Sequence, residues 1–280
     1  MNEYIAKAIP QGSSLYYSLR FIAPKQREAI SYLYAFSYEI EMMVSEVKEL
    51  EIAERKLNWW RQELQNLRDG KPQHPLAQAL LPFLQEYNIA ATILSEILEG
   101  IARRLTNPNY PDFKTFSEQH YRAISSFPLL VNLVCVANER PLGFIHDLGI
   151  MLQTIEVIME LRNDLRHGYL YLPEQDLKAF NISEQDLFNL NMSDNLVLLL
   201  KQLAEQARNY YNQALTKLET NQHHSQLANL IMAKLYYQLL AELEHDNFQV
   251  FSHKITLSPI RKLWLAYKSY WQTGRVQNLC

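Results

Sequence analysis

Glycine and proline are scarce, 7 and 11 residues in a chain of 280. Tight turns depend on them, so a sheet-rich or turn-rich fold is excluded. Cysteine is scarcer still. Cys135 lies in an apolar run and Cys280 at the terminus, which makes neither a disulfide framework nor a zinc site. A reducing, cytoplasmic setting is the expectation. The formal net charge is −3 and no basic stripe with interleaved aromatics is present, so nucleic acid is not an expected partner. The longest apolar run, Leu129 to Ala137, is broken by Asn132 and falls far short of a membrane span. The opening Met-Asn-Glu-Tyr-Ile-Ala-Lys lacks the basic-then-apolar layout of a secretory leader. The chain is therefore expected to be soluble, or at most peripheral to a membrane. A Gly-x-Ser-x-Gly turn, a P-loop, a dinucleotide fingerprint and His-Glu-x-x-His are all missing, which removes the best-marked hydrolase, nucleotide and zinc-protease chemistries.

What remains is helix-forming and apolar. Hydrophobic residues make up 48% of the chain, and Leu, Ala, Glu, Gln and Lys dominate. Ser13 or Ser14 is placed to cap a short early helix. Apolar residues at helical spacing predict helices from Lys25 to about Leu50 and through Trp59-Trp60-Arg61, the second stopping at Asp69-Gly70-Lys71-Pro72. Two more are expected from His74-Pro75 to about Tyr87 and from Ala90 to about Leu105. A helical pattern from Asp112 towards Glu139 contains Pro128 as a kink or break. Leu142 to His167 is the next helix. Leu172 to about Ser193 reads as irregular, with one short helix at Glu184–Asn189. Helices over about 194–220, 224–245 and 259–272 complete the chain. No segment alternates with period two, no repeat appears and no linker divides the chain, so one all-α domain over residues 1–280 is expected.

The most informative stretch runs from Gln153 through Gly168 to Pro173. Glu156, Glu160 and Asp164 fall at i, i+4 and i+8 and share one helix face, while Ile155, Ile158, Met159 and Leu165 face the core. Stacked like charges cost helix stability, a few tenths of a kcal/mol per pair. Arg162, Arg166 and His167 could offset them on a solvated face. A divalent cation could do the same, because Mg²⁺ takes carboxylate oxygens and leaves its other positions to water or phosphate. Gly168 stops the helix. Tyr121 and Tyr236-Tyr237 lie on helices suited to face a central cavity. Apolar helices around a pocket with acids at one end suit a long lipid chain with a charged head.

Read together, these segments resemble the squalene/phytoene synthase family, the head-to-head prenyl transferases of the all-α isoprenoid-synthase fold. The resemblance runs through Gly12-Ser-Ser-Leu-Tyr-Tyr, Tyr34-Ala-Phe36, Trp60-Arg61 and Gly70-Lys-Pro-Gln-His-Pro75. It continues with Tyr121-Arg-Ala-Ile-Ser-Ser-Phe-Pro128, Gln153 to Pro173, Tyr236-Tyr237 and Asn247-Phe248. Gly-Tyr-Leu-Tyr-Leu-Pro is similar to the family's Gly-Arg-x-Tyr-Leu-Pro. The resemblance implies a helical bundle around a central cavity, with two acid-rich motifs whose Mg²⁺ ions hold substrate diphosphates. The family's second motif, Asn-x-x-x-Asp-x-x-x-Asp, falls on Glu156, Glu160 and Asp164, which it implies as metal ligands. Tyr121, Gln153 and Tyr236 match residues that line the family's cavity, and the resemblance implies catalytic roles for them.

The departures matter as much. The family's first motif, Arg-x-x-Asp-Asp-x-x-Asp, falls on Tyr38-Glu-Ile-Glu41-Met42-Met-Val-Ser45, where Glu41 alone keeps a carboxylate as a metal ligand. Glu46 stands a quarter-turn beyond Ser45. Met159 replaces an arginine of the second motif. Hard cations gain most from carboxylates, so this loss weakens a Mg²⁺-diphosphate cluster. Three functions follow as alternatives. The first is Mg²⁺-dependent head-to-head condensation of two prenyl diphosphates, farnesyl or geranylgeranyl, with impaired or altered activity. The second is a non-catalytic member with a protein partner, such as the assembly factor for respiratory complex I that resembles these synthases. The third is a binding protein for an isoprenoid lipid, and peripheral membrane contact is compatible with all three.

Overall fold

The computed structural model describes residues 3–45, 49–106, 110–123, 127–136 and 140–277. Every regular element among them is a helix. The first six are α1 (Glu3–Ala8), α2 (Ser14–Ser18), α3 (Pro24–Ser45), α4 (Leu50–Arg68), α5 (Pro75–Glu86) and α6 (Ala91–Thr106). Next come α7 (Phe113–Ala123), α8 (Phe127–Cys135), α9 (Leu142–Arg166), α10 (Glu174–Ala179) and α11 (Glu184–Phe188). The last are α12 (Asp194–Thr216), α13 (Leu227–His245) and α14 (Pro259–Gln277). The expected all-α class is therefore observed, and the backbone groups into two compact units. One comprises Met1–Asn107, Arg122–Arg140 and Ser225–Asn229; the other comprises Pro108–Tyr121, Pro141–His224 and Leu230–Cys280.

In the first unit α3 is the hub, packing against α1, α4, α5, α6 and α8. Ala29, Ile30, Leu33, Phe36 and Ile40 are buried at helical spacing. Phe36 meets the edge of Trp60, with ring centroids 5.3 Å apart, and Trp60 lies 4.7 Å from His74. Glu63, buried on α4, accepts the backbone N–H groups of Gln73 and His74 at 2.6 and 2.7 Å and Asn66 Nδ2 at 3.1 Å. The segments Tyr34-Ala-Phe36, Trp60-Arg61 and Gly70 to Pro75 thus form one aromatic knot tied down by a carboxylate.

His74 also caps α5, its Nδ1 accepting from Leu76 N–H at 3.2 Å. Burial lowers its pKa below 6.5 and outweighs the opposing fields of Glu39 and Glu63. The unfolded chain therefore binds the proton first as pH falls. This contribution is complete above about pH 6.5 and is lost as pH drops from there to the folded pKa. His74→Asn keeps a capping side chain without the titration. Between about pH 7.5 and about pH 5.5 the wild type should lose more urea-unfolding free energy than His74→Asn. Equal losses would remove His74 from the acid sensitivity.

In the second unit α9 packs lengthwise on α12 and touches α11. Ile145, Leu148, Ile150, Gln153, Val157 and Ile158 are buried on its several sides, as befits a helix enclosed by others. Among the described residues α9 is long and apolar enough to cross a bilayer, yet 72% of that window is buried within the protein. Asp147, buried near its start, is held by Lys217 Nζ at 2.5 Å and His146 Nδ1 at 3.0 Å. An uncompensated buried carboxylate costs about 3–5 kcal/mol, so Lys217, at the end of α12, fixes the register of the two helices. Gly143 leaves room for it, since a Cβ there would sit 3.1 Å from Lys217 Cδ.

The scarcity of glycine shows in how helices end. The Schellman arrangement needs a left-handed residue at C′. Gly70 (φ 72°) supplies it after α4 and Gly168 (φ 86°) after α9. Asn88, Asn181 and Asn247 do so after α5, α10 and α13, with φ of 50°, 52° and 50°. At Gly168 the paired bonds are Gly168 N–H to Leu165 O at 3.1 Å and Tyr169 N–H to Asp164 O at 2.9 Å. At Asn247 they are Asn247 N–H to Glu244 O at 3.0 Å and Phe248 N–H to Leu243 O at 2.8 Å. Asparagine tolerates this conformation better than other non-glycine residues.

Several expectations change in detail: α1 is unexpected, α12 ends at Thr216 instead of about 220, and α14 runs to Gln277 instead of about 272. The first long helix is described only to Ser45, and Leu50 already belongs to α4. The pattern from Asp112 is two helices, with Pro128 in the first turn of α8, where its missing N–H costs nothing. Residues 172–193 hold α10 as well as α11. Glu174 and Asp176 in its first turn and Lys178 in its last complement the helix dipole. Its first N–H groups find Tyr110 O at 2.8 Å and Pro111 O at 3.0 Å.

Candidate functional site

The acidic face of α9 lies at its C-terminal half. Glu156, Glu160 and Asp164 are half-buried on one stripe, and Gln153, buried, continues it one turn earlier. Glu160 accepts from Lys254 Nζ at 2.6 Å. Arg162 donates through Nη1 to Ser252 O at 3.3 Å. The loop between α13 and α14 is thus strapped to α9 at two points. Its lysine, rather than Arg162 or Arg166, is the partner of Glu160.

The stripe ends at the Gly168 stop. Beyond it Tyr169 and Tyr171 stack at 5.9 Å, and Tyr171 lies 6.1 Å from buried Tyr110. Leu172 and Pro173 are buried. This rigid exit fixes where the acids stand relative to the loop at 110–111. On α13 Tyr236 is half-buried. Its neighbour Tyr237 packs on Tyr211 at 4.4 Å and under the Arg208 guanidinium at 4.9 Å. Arg208 in turn pairs with Glu244. Burial pushes the Tyr211 hydroxyl above its usual pKa, so it stays protonated at neutral pH.

Glu41 is half-buried on α3 in the first unit. Ser45 ends α3; its side chain and Glu46 lie outside the described residues, as does the side chain of Tyr121, which α7 carries. A cleft of about 500 Å³ in the first unit is lined by Ile5, Ile9, Tyr16, Arg20, Arg27 and Tyr32 among others. None of the seven candidate residues lines it. The structure therefore brings Gln153, Glu156, Glu160 and Asp164 onto one face and adds Lys254, which sequence reasoning missed. Ninety or so residues of intervening chain leave no local signal for that pair; only its 2.6 Å contact reveals it.

A family pattern described as squalene/phytoene synthase matches residues 10–261. The chain belongs to the squalene/phytoene synthase family. It is 26% identical over 251 residues to a 15-cis-phytoene synthase of Synechococcus elongatus, covering 85% of this chain and 82% of the relative. It is 23% identical over 260 residues to phytoene synthase 2 of Solanum lycopersicum, covering 89% and 83%. The fold is similar to that of a dehydrosqualene synthase crystallised with a ligand, with a TM-score of 0.80 at 20% identity over 97% of this chain and 94% of that one. It is also similar to squalene synthase HpnC of Alicyclobacillus acidocaldarius, at 0.71 and 15% over 88% and 92%. The squalene/phytoene synthase match spans stretches of both structural units, and the family is one of head-to-head prenyl transferases.

The α9 face fits the chemistry of Mg²⁺. Its donors are all carboxylates, half-buried and on one stripe. Among the described residues no three Asp, Glu, His or Cys side chains converge as a closed ligand set. An open set suits this ion, which takes one or two carboxylates and completes its shell with phosphate and water. Lys254 competes for the middle carboxylate.

Proposed function

We infer that this chain joins two prenyl diphosphates of the farnesyl or geranylgeranyl class head to head, with Mg²⁺ as cofactor, and turns over slowly. The observation that supports this reading is the Gln153-Glu156-Glu160-Asp164 stripe on α9 within a family match over residues 10–261. Glu156, Glu160 and Asp164 would hold Mg²⁺ with the diphosphate oxygens. When bound, the metal acts as a Lewis acid that lowers the charge on the departing diphosphate. The protein's own contribution is to orient and to exclude water. Buried Gln153 carries the only uncharged polar side chain of the stripe, suited to orient a substrate head without adding charge. Tyr236, half-buried on α13, gives an aromatic face suited to an apolar chain and a cationic intermediate.

Slow turnover follows from four residues. Tyr38 and Met159 stand where the family has arginines, and Met42 and Ser45 stand where it has carboxylates. Removing a single preorganised electrostatic contact costs about 10²–10³ in rate. Incubation with geranylgeranyl or farnesyl diphosphate and Mg²⁺ should release diphosphate and yield a hydrocarbon of doubled chain length, at a rate at least about a hundredfold below a family synthase assayed alongside. Diphosphate release unaffected by chelating the metal would count against the assignment.

A second reading, a non-catalytic family member acting in assembly or lipid binding, draws on one observation. Glu160 already has a cationic partner in Lys254, so the stripe is partly balanced without metal. That reading expects no product, and a function in cells that survives Glu160→Ala. In either case the expected setting is cytoplasmic or peripheral to a membrane.

A further inference from the structure

The last helix carries its apolar residues on the wrong side for a core helix. Ile260, Leu263, Trp264, Tyr267, Tyr270 and Trp271 are all exposed, between 42% and 82%. They recur at i, i+3, i+4, i+7, i+10 and i+11, which is one face. The opposite face of α14 is the buried one, with Lys262, Leu265, Ala266 and Thr273. Half of the large hydrophobic residues that are exposed among the described residues thus belong to this one stripe. Scattered exposed apolar residues need no account, but a contiguous rank of three aliphatic-to-aromatic turns does.

Charge decides what the face suits. From Asn247 to Cys280 the chain has Lys254, Arg261, Lys262, Lys268 and Arg275 and no Asp or Glu, although its net charge overall is −3. Arg261 is paired with Glu242 at 2.7 Å and Lys254 with Glu160. Lys268 borders the stripe, its Nζ 5.0 Å from the Trp264 ring centroid. Trp and Tyr flanked by lysine, on a helix with no acid of its own, is the pattern that settles at the boundary between lipid headgroups and acyl chains. The same aromatics suit a protein interface; the absence of Asp and Glu from α14, with Lys268 at the edge of the stripe, is what favours an anionic lipid surface.

We propose that the exposed face of α14 is a docking surface for an anionic lipid bilayer, with Trp264, Tyr267 and Trp271 inserting at the headgroup boundary and Lys268 meeting the lipid phosphates. The helix lies in the plane of the surface and does not span it: its other face is buried in the protein. The proposal does not depend on turnover, since it concerns a face that carries none of the candidate site residues.

The test is co-sedimentation of the full chain with vesicles of phosphatidylcholine, alone and mixed with phosphatidylglycerol. The wild type should pellet with the anionic vesicles, with blue-shifted tryptophan emission quenched by brominated acyl chains. Trp264→Ser/Tyr267→Ser/Trp271→Ser should lower the partition coefficient at least about tenfold while leaving the thermal melt in place, because these side chains are exposed. Lys268→Glu should weaken binding to anionic vesicles only. A wild type that stays in the supernatant with both vesicle types, or a triple variant that binds equally well, would overturn the proposal. So would a concentration-dependent dimer abolished by the same three substitutions, which would assign the face to a second copy of the chain.

Discussion

Glu63→Leu is expected to destabilise the protein by about 3–5 kcal/mol, because it removes the shared acceptor of two backbone donors and an amide. Glu63 is 2% exposed and a single oxygen, Oε1, receives both Gln73 N–H and His74 N–H, while Oε2 takes Asn66. Bonds to an ionised acceptor are the strong class, worth about 1.5–3 kcal/mol each. Glu63 itself is shut off from solvent, although its three partners are half-buried or exposed. Glu63→Gln keeps one oxygen for both backbone groups and should lose only about 1–2 kcal/mol. Urea unfolding followed through Trp59 and Trp60 emission measures both. If leucine costs less than glutamine, the carboxylate is not what holds the segment from Gly70 to Pro75.

Glu160→Ala is the second large effect. Mg²⁺ binds through one or two carboxylates and the substrate's phosphates, so loss of the middle oxygen of the stripe should lower affinity for Mg²⁺-diphosphate at least about tenfold. Any residual turnover should fall by about 10²–10³. Lys254→Gln should act in the opposite sense and weakly. The lysine is 68% exposed and Glu160 31%. A pair of that exposure is worth at most about 1 kcal/mol, so freeing Glu160 raises metal affinity by no more than about fivefold.

The fold was open to sequence reasoning because its signals are local. Period and breakers place α5, α6 and α9 within a residue or two and mark the end of α4, and Gly70 and Gly168 are real stops. Asparagine at three other stops is the same device in a glycine-poor chain, legible only once the left-handed φ is known. α10 was missed because its six residues are too short to show a period. Its end charges and the Pro173 before it were the available signal.

The site was legible in part. The spacing of Glu156, Glu160 and Asp164 gives their common face, since i and i+4 positions always align. Lys254 was invisible because the contact is long-range. Glu63 was invisible because a glutamate on a polar-looking helix reads as solvated. α14 shows a different limit. Its period announces an apolar face, but no sequence pattern says whether that face turns inward; here Leu265 and Ala266 are buried and Trp264 and Trp271 are not.

The most direct measurement of the central claim is a calorimetric titration with a non-hydrolysable farnesyl diphosphate analogue, with and without Mg²⁺, on the wild type and Glu160→Ala. Binding that requires Mg²⁺ and weakens at least about tenfold in Glu160→Ala is the predicted result. Binding indifferent to both the metal and Glu160, or no binding at all, would contradict a metal-diphosphate site on α9 and leave the non-catalytic reading in its place.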